Sequence, residues 1–230
     1  MIKKKNQFFA LIPARKGSKG VKNKNIVRLN NKHLIEYTLE QASKSKIINE
    51  IYVSSNDEKI LKITKKFKKI KFIKRKNSLS NSKTLLKDVI LDFLNFIKEK
   101  FNLKKINLII LQPTSPQRSA NDIDMAIKLF NKKNKLPLIS VSEPISNPND
   151  IIYLNKKKIF PFNKSFINKN RQDFKECFYI NGSIYITNAA NYIKIPNFLT
   201  KNSTIFKMSK NHSIEIDDYF DLKIIKNLIK

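Results

Sequence analysis

Hydrophobic positions along the chain alternate between two periods. Residues 7–12 (QFFALI) form a continuous apolar run of the length of one buried strand. Residues 34–45 switch to helical spacing, with Leu34, Ile35, Thr38, Leu39 and Ala42 on one side, and residues 50–54 (EIYVS) return to a strand pattern. One strand–helix–strand unit is therefore complete before the first quarter of the chain has passed. The rhythm continues with a helix over 57–67, a short strand over 71–73 and a long amphipathic helix over 83–101. Residues 107–112 (NLIILQ) are nearly all apolar, as expected of a parallel strand buried on both faces. A turn over 113–116 leads to Ser119, a suitable N-cap for a helix through Lys132, and 136–141 reads as another strand.

After Val141 the alternation breaks. Residues 143–178 hold short β-like pieces at 151–154 and 159–162, separated by Pro, Asn and Lys, and read as an insertion. The rhythm returns with strands over 182–187 and 204–209 and a closing helix over 218–229. Strands alternating with helices predict an α/β fold: a Rossmann-like, mainly parallel sheet with helices on both faces and ligands at the carboxyl ends of the strands. No internal repeat or linker divides the chain, so a single domain over 1–230 is expected.

Composition adds few constraints. Apolar residues make up 41% and charged residues 28% of the 230, an ordinary globular balance, and no apolar run approaches the ~18 residues of a membrane span. Cys177 is the only cysteine, which excludes an intrachain disulfide and a cysteine-based zinc cluster and points to a reducing compartment, the cytoplasm. The formal net charge of +29 suggests nucleic acid or an anionic membrane as a partner. Two features argue against that suggestion. Lysine outnumbers arginine 42 to 5, whereas base reading favours arginine, and the lysines are spread over the whole chain. With 35 Ile and 28 Asn as well, the pattern is what AT-rich codons produce at tolerant surface positions. A basic nucleic-acid-binding protein is retained as the reading from a different functional class.

The first constellation that such drift would not produce follows the first strand. In 13–25, Gly17 and Gly20 let the backbone approach a phosphate chain, while N–H groups and Arg15, Lys19 and Lys24 offset its charge. The segment matches neither GxGxxG nor GxxxxGK[ST], and on its own it also reads as a solvated basic turn. The second is acidic: Glu215, Asp217, Asp218 and Asp221 lie within seven residues of a chain with only 18 acids. Hard carboxylate oxygens are what Mg2+ takes, and on an extended segment Glu215 and Asp217 point the same way. The structural alternative is an N-cap, Asp217 or Asp218 opening the final helix with Asp221 in its first turn. Gln112 ends a central strand and can point into the crevice there, whereas Tyr185 in a β-run is also compatible with ordinary core. His33 and His212 have no partner constellation.

Five motifs, in order, resemble the CMP-sialic acid synthetase (acylneuraminate cytidylyltransferase) family, which includes legionaminic and pseudaminic acid cytidylyltransferases. They are IPARKGSKGVKNKN over 12–25, Val53-Ser54-Ser55-Asn56-Asp57, LQPTSPQR over 111–118, NGSIYI over 181–186 and IEIDDYFDL over 214–222. The resemblance implies a nucleotide-diphospho-sugar-transferase type of fold. It also implies attack of the anomeric hydroxyl of a nine-carbon 3-deoxy-2-ketonulosonic acid on the α-phosphorus of CTP with loss of pyrophosphate, assisted by Mg2+, in surface glycan (lipopolysaccharide) synthesis. By the same resemblance Arg15 and Lys24 brace the triphosphate. Ala14, Gly17, Ser18, Asn25 and Arg75 lie on the nucleotide side, and Gln112 and Tyr185 face the sugar. Asp217, with Glu215, holds the metal. The 143–178 insertion is expected to dimerise with its twin, bringing Arg171, and with it Lys175, to the partner's sugar carboxylate. Three departures stand out. The family usually has aspartate at the positions of Glu215 and Asn56, and 75–84 matches its pattern only loosely around Ser80 and Ser82. A synthetase for 3-deoxy-manno-octulosonate is the rival enzyme.

Overall fold

A computed structural model describes residues 6–18, 20–144, 146, 150–162 and 176–229. In chain order the strands are β1 (Gln7–Pro13), β2 (Arg28–Leu29), β3 (Lys32–His33), β4 (Glu50–Ser55), β5 (Ile70–Lys74) and β6 (Ile106–Leu111). They continue as β7 (Leu138–Ser142), β8 (Ile152–Asn155), β9 (Lys158–Pro161), β10 (Tyr179–Asn188) and β11 (Thr204–Lys207). The α-helices are α1 (Leu34–Lys44), α2 (Glu58–Thr64), α3 (Leu86–Ile97), α4 (Ala120–Lys132), α5 (Ala189–Lys194) and α6 (Tyr219–Leu228).

Seven strands form one sheet in the order β11-β7-β10-β6-β1-β4-β5, and all but β10 run the same way. The alternation of side chains along β1 explains the layering. Phe8, Ala10 and Ile12 face one core with α1, α2 and α4, while Phe9 and Leu11 face a second with α3 and α5. Phe9, Ala10, Leu11 and Ile12 are all fully buried, so β1 needs an apolar residue at every position. Full burial of a side chain such as Phe9 or Leu11 stabilises by roughly 1.5–3 kcal/mol. A third, smaller cluster of Val21, Leu29, Leu34, Ile216, Leu222 and Ile225 fastens the loop after β1 and helix α6 to each other.

Differences from the expectations have local causes. The helix expected over 83–101 is only Leu86–Ile97. Its intended start is diverted into side-chain turns, with the Lys83 amide donating to Asn81 Oδ1 (2.9 Å) and Thr84 Oγ1 to Ser78 O (3.4 Å). Its end folds back so that Phe101 meets Phe9 edge-on at 4.8 Å. The strand expected over 182–187 is longer and antiparallel to both neighbours. Helix α5, unforeseen, follows it directly, capped by Asn188 Oδ1, which accepts from the amides of Ala190 and Asn191. Inside the 143–178 stretch, β8 and β9 form a separate hairpin whose Ile152, Leu154 and Ile159 are exposed. No helix among the described residues is long and apolar enough to cross a membrane.

Candidate active site

The loop after β1 is tied down from several directions. The Ala14 amide donates to Ser54 O (2.9 Å), the Lys16 amide to Asn56 Oδ1 (2.8 Å) and Asn25 Nδ2 to Arg15 O (2.9 Å). Asn56 thus shapes the loop. Lys24 is buried, and its ammonium donates to Ile216 O (2.7 Å) and Asp217 Oδ1 (3.1 Å), which leaves its third proton for the cavity beside it. Gly20 allows the closest approach, because a Cβ there would run into the carbonyl of Asp217. A basic loop and an acidic segment some two hundred residues apart in sequence therefore form one wall.

That wall and the carboxyl ends of β1, β5 and β6 border a cavity of about 430 Å³, within the range of small-molecule sites. Arg15, Ser18, Lys24, Asn25 and Arg75 line one part of it, and Gln112, Glu215 and Asp217 another. Arg75, placed on the nucleotide side by the resemblance, is only 4% exposed, whereas its neighbours Lys74 and Lys76 face solvent. Its Nε donates to Ser54 Oγ (3.1 Å) and its Nη2 to Ser54 O (2.6 Å). Burial, and then the like charge of Arg15, pull its pKa down to about 10, which still leaves it cationic at neutral pH. Two guanidinium groups and an ammonium thus converge on a cavity suited to a polyanion.

The four acids divide their work. Asp218 caps α6, accepting from the amides of Phe220 (2.8 Å) and Asp221 (3.0 Å), while Asp221 Oδ2 accepts from those of Asp217 (2.8 Å) and Asp218 (3.1 Å). Glu215 and Asp217 remain facing the cavity. Asp217 is open, its side chain 70% exposed, and Glu215 is turned inward. Thr114 Oγ1 donates to Glu215 Oε1 (2.8 Å), and the Ile216 amide donates to Thr114 O (2.8 Å). Glu215's longer arm fits because Gly182, at φ +66°, carries no side chain: a Cβ would stand 2.8 Å from the carboxylate. Among the described residues no group of three or more His, Cys, Asp or Glu is placed to hold a metal. Two carboxylates completed by substrate phosphates and water are nonetheless a donor set that Mg2+ accepts.

Burial raises the Glu215 pKa above 4.5, opposed by the Thr114 hydrogen bond and the charge of Lys24. An acid whose folded-state value lies above its unfolded value binds its proton more tightly in the fold. Its contribution is full below the unfolded value and is lost as pH rises through the raised one. Glu215→Gln is therefore expected to flatten the fall in melting temperature over the interval just above pH 4.5. Thermal melts of both proteins in matched buffers across that interval check this, and an unchanged slope refutes it.

Two further cavities adjoin the first. One of about 530 Å³ shares Glu215 and Asp217 with it and has Phe178, Tyr179 and Ile214 on its apolar side. The other, about 220 Å³, meets the first at Leu86 and contains Tyr185. Tyr185 therefore stands apart from Gln112, packed on Phe198 (ring centroids 5.1 Å), its phenol pushed up to about 12 by burial and then by Glu215. Ala14 is buried and Gly17, at φ +70°, has open space around it; both belong to the loop without lining the cavity. Ser80 and Ser82 do not reach the cavity; Leu79 and Thr84 from the same stretch do. The histidines have structural partners, His33 Nδ1 lying 2.7 Å from Ile26 O and His212 Nδ1 2.9 Å from Asp122 Oδ2. Lys19, Arg171 and Lys175 lie outside the described residues. Thr114 was given no role from sequence, although it sits in the LQPTSPQR motif.

Comparison with known proteins converges on one family. A family model described as cytidylyltransferase matches residues 9–228. The post-translational flagellin modification protein B of Campylobacter coli is 32% identical over 98% of this chain and 96% of its own. The CMP-N,N'-diacetyllegionaminic acid synthase of Campylobacter jejuni is 32% identical over 97% and 95%. The N-acylneuraminate cytidylyltransferase of Escherichia coli is 29% identical over 96% of this chain but only 51% of its own length. Among solved structures, a CMP:2-keto-3-deoxy-manno-octonic acid synthetase complexed with CTP superposes with a TM-score of 0.69 at 14% identity, covering 97% of this chain and 98% of that one. At that identity the match speaks for the fold alone.

Proposed function

Because the chain belongs to the cytidylyltransferase family, we propose that it transfers the cytidylyl group of CTP to a nine-carbon 3-deoxy-2-ketonulosonic acid of the sialic, legionaminic or pseudaminic type. The observation that carries the reading is the single cavity in which Arg15, Lys24 and Arg75 oppose the carboxylates of Glu215 and Asp217. In the reaction the anomeric hydroxyl oxygen bonds to the α-phosphorus as the bond to the β-phosphate bridging oxygen breaks. The hydroxyl proton is lost, and pyrophosphate departs with the electron pair. This chemistry asks for positioning and for charge stabilisation more than for a covalent intermediate.

Each residue then has a task. Those backbone N–H groups of the loop after β1 that have no partner within the fold, with the side chains of Arg15 and Lys24, grip the triphosphate and offset the charge that grows on the leaving pyrophosphate. Arg75 and Asn25 border the nucleoside end. Asp217, with Glu215 behind it, would hold a magnesium ion, which when bound supplies charge neutralisation on the phosphate oxygens. Gln112 addresses the sugar, and the Tyr185–Phe198 cavity beyond Leu86 takes a sugar substituent. The exposed apolar hairpin of β8 and β9 supports a homodimer in which Arg171 of a second copy meets the sugar carboxylate.

The relatives at 29–32% identity favour a sialic-type acid over 3-deoxy-manno-octulosonate, whose synthetase shares the fold at 14%. The test is Mg2+-dependent pyrophosphate release from CTP with N-acetylneuraminic, legionaminic, pseudaminic and 3-deoxy-manno-octulosonic acids, with ATP, GTP and UTP as controls. Release with CTP and one nine-carbon acid is the expected result. Release only with the eight-carbon acid transfers the assignment to the rival. Steep salt-dependent RNA binding without CTP binding would return the +29 charge to the centre.

A further inference from the structure

The largest fully buried side chain among the described residues is a cation. Arg118 is 1% exposed, and among the described residues no carboxylate lies within ion-pair distance of it. Removing a guanidinium from water without an ion-pair partner is costly, the charge of Asp122 offsetting only part of it, and an apolar residue of similar volume would avoid that cost. The side chain is used instead as a three-way brace. Nη1 donates to Ser183 O (2.7 Å) and Gln112 O (3.2 Å), and Nη2 donates to Thr38 Oγ1 (2.7 Å). The Thr38 hydroxyl in turn reaches Gln112 O at 3.5 Å. A planar fork is needed to reach β10, α1 and the end of β6 together, which an ammonium cannot do. Only Nε of the guanidinium lacks a partner.

The residues held this way belong to the cavity. Gln112 is the first residue beyond β6, so fixing its carbonyl fixes the direction from which its side chain enters the site. The same short loop carries Thr114, whose hydroxyl holds Glu215 and whose carbonyl holds the Ile216 amide. One buried guanidinium therefore governs both the amide at the sugar end and the support of the acid pair.

We propose that Arg118 is a positioning residue for the acceptor: through Gln112 O, Ser183 O and Thr38 it sets the 112–116 loop, and with it the Gln112 side chain, in the geometry that receives the sugar. The role rests on the reading that this cavity joins CTP to a ulosonic acid.

Arg118→Lys keeps the charge and loses the fork, and Thr38→Val removes one arm with little change of volume. With the intact protein, Arg118→Lys is expected to lower kcat/KM for the sugar about 30-fold, and Thr38→Val about 5-fold in the same direction. Equilibrium binding of CTP without sugar should stay within about 3-fold. Because Arg118 acts in part through Gln112, the loss in Gln112→Ala combined with Arg118→Lys should fall clearly short of the product of the two single losses. A purely structural defect would instead weaken CTP and sugar together and add to the Gln112 effect. Amide hydrogen exchange of peptides covering 112–117 and 214–217 supplies a readout without turnover. It should quicken about 10-fold in both variants while β1 and β4 stay protected. Unchanged exchange, unchanged sugar kcat/KM, or additivity with Gln112→Ala each overturns the proposal. A wild-type protein that turns over none of the acids with CTP would sink the catalytic reading instead, and the exchange measurement would still decide whether Arg118 holds the loop.

Discussion

Replacing Asp217 with Asn is expected to lower turnover at saturating CTP and sugar on the order of a thousand-fold and to leave the melting temperature within about 3 °C of the parent. The two halves of that expectation have different causes. The Asp217 side chain is 70% exposed and, among the described residues, touches one ion-pair partner, Lys24 at 3.1 Å, and such open pairs contribute about 1 kcal/mol or less to stability. Asn still offers an oxygen at the same place, and Lys24 keeps its bond to Ile216 O, so no buried cation is stranded. What disappears is the negative charge opposite Arg15, Lys24 and Arg75, on which, under the proposed function, holding a divalent cation would depend. Pyrophosphate release followed across a magnesium titration checks this. The variant should need more metal and recover only part of its rate, and a variant as active as the parent at every magnesium concentration would remove Asp217 from the site.

Why some of this was readable beforehand and some was not follows from the range of the interactions. Periodicity is a local property, so β1, α1, β4 and β6 emerged within a residue or two, and Ser119 as the cap of α4 needed only its neighbours. Helix ends are decided by competition with side chains some distance off. Asn81 and Ser78 shortened α3, which its own apolar spacing would have extended. The basic loop and the acid cluster were visible as compositions, but their union depends on Lys24 reaching a carbonyl nearly two hundred residues away. Arg75 was placed on the nucleotide side by the resemblance alone, because its burial is a property of the fold and Ser54, which receives it, lies on β4. Arg118 carried no signal beyond its motif, since nothing near it in sequence separates a buried arginine from one paired with Asp122 on the surface. Gly182 was read only as part of a motif, and its reason, room for the Glu215 carboxylate, needs the first half of β10 and the 214–217 segment side by side.

Two glycines of the same loop offer a test of that union, because one methyl group has opposite reasons to matter at each. Gly20→Ala is expected to destabilise by about 2–3 kcal/mol, a fall of about 6–10 °C in melting temperature, and to raise KM for CTP at least about 30-fold. The new Cβ would meet the carbonyl of Asp217, a backbone atom that cannot rotate away, and that carbonyl belongs to the strip joining Lys24 to the cap of α6. Relief requires the loop and the 215–218 segment to part. Parting them takes the Lys24 ammonium from Ile216 O and moves Asp217 relative to Arg15. Gly17 differs: nothing lies near its missing side chain, and its cost is conformational, a left-handed φ of +70° worth roughly 1–2 kcal/mol for alanine. Gly17→Ala should therefore melt only slightly early and keep its CTP KM within about 5-fold, since the loop retains its contact with Asp217. Paired melts and CTP titrations of the two variants separate the explanations. Equal kinetic damage from both would mean that loop conformation, and not the close approach of the loop to the acid segment, sets nucleotide affinity.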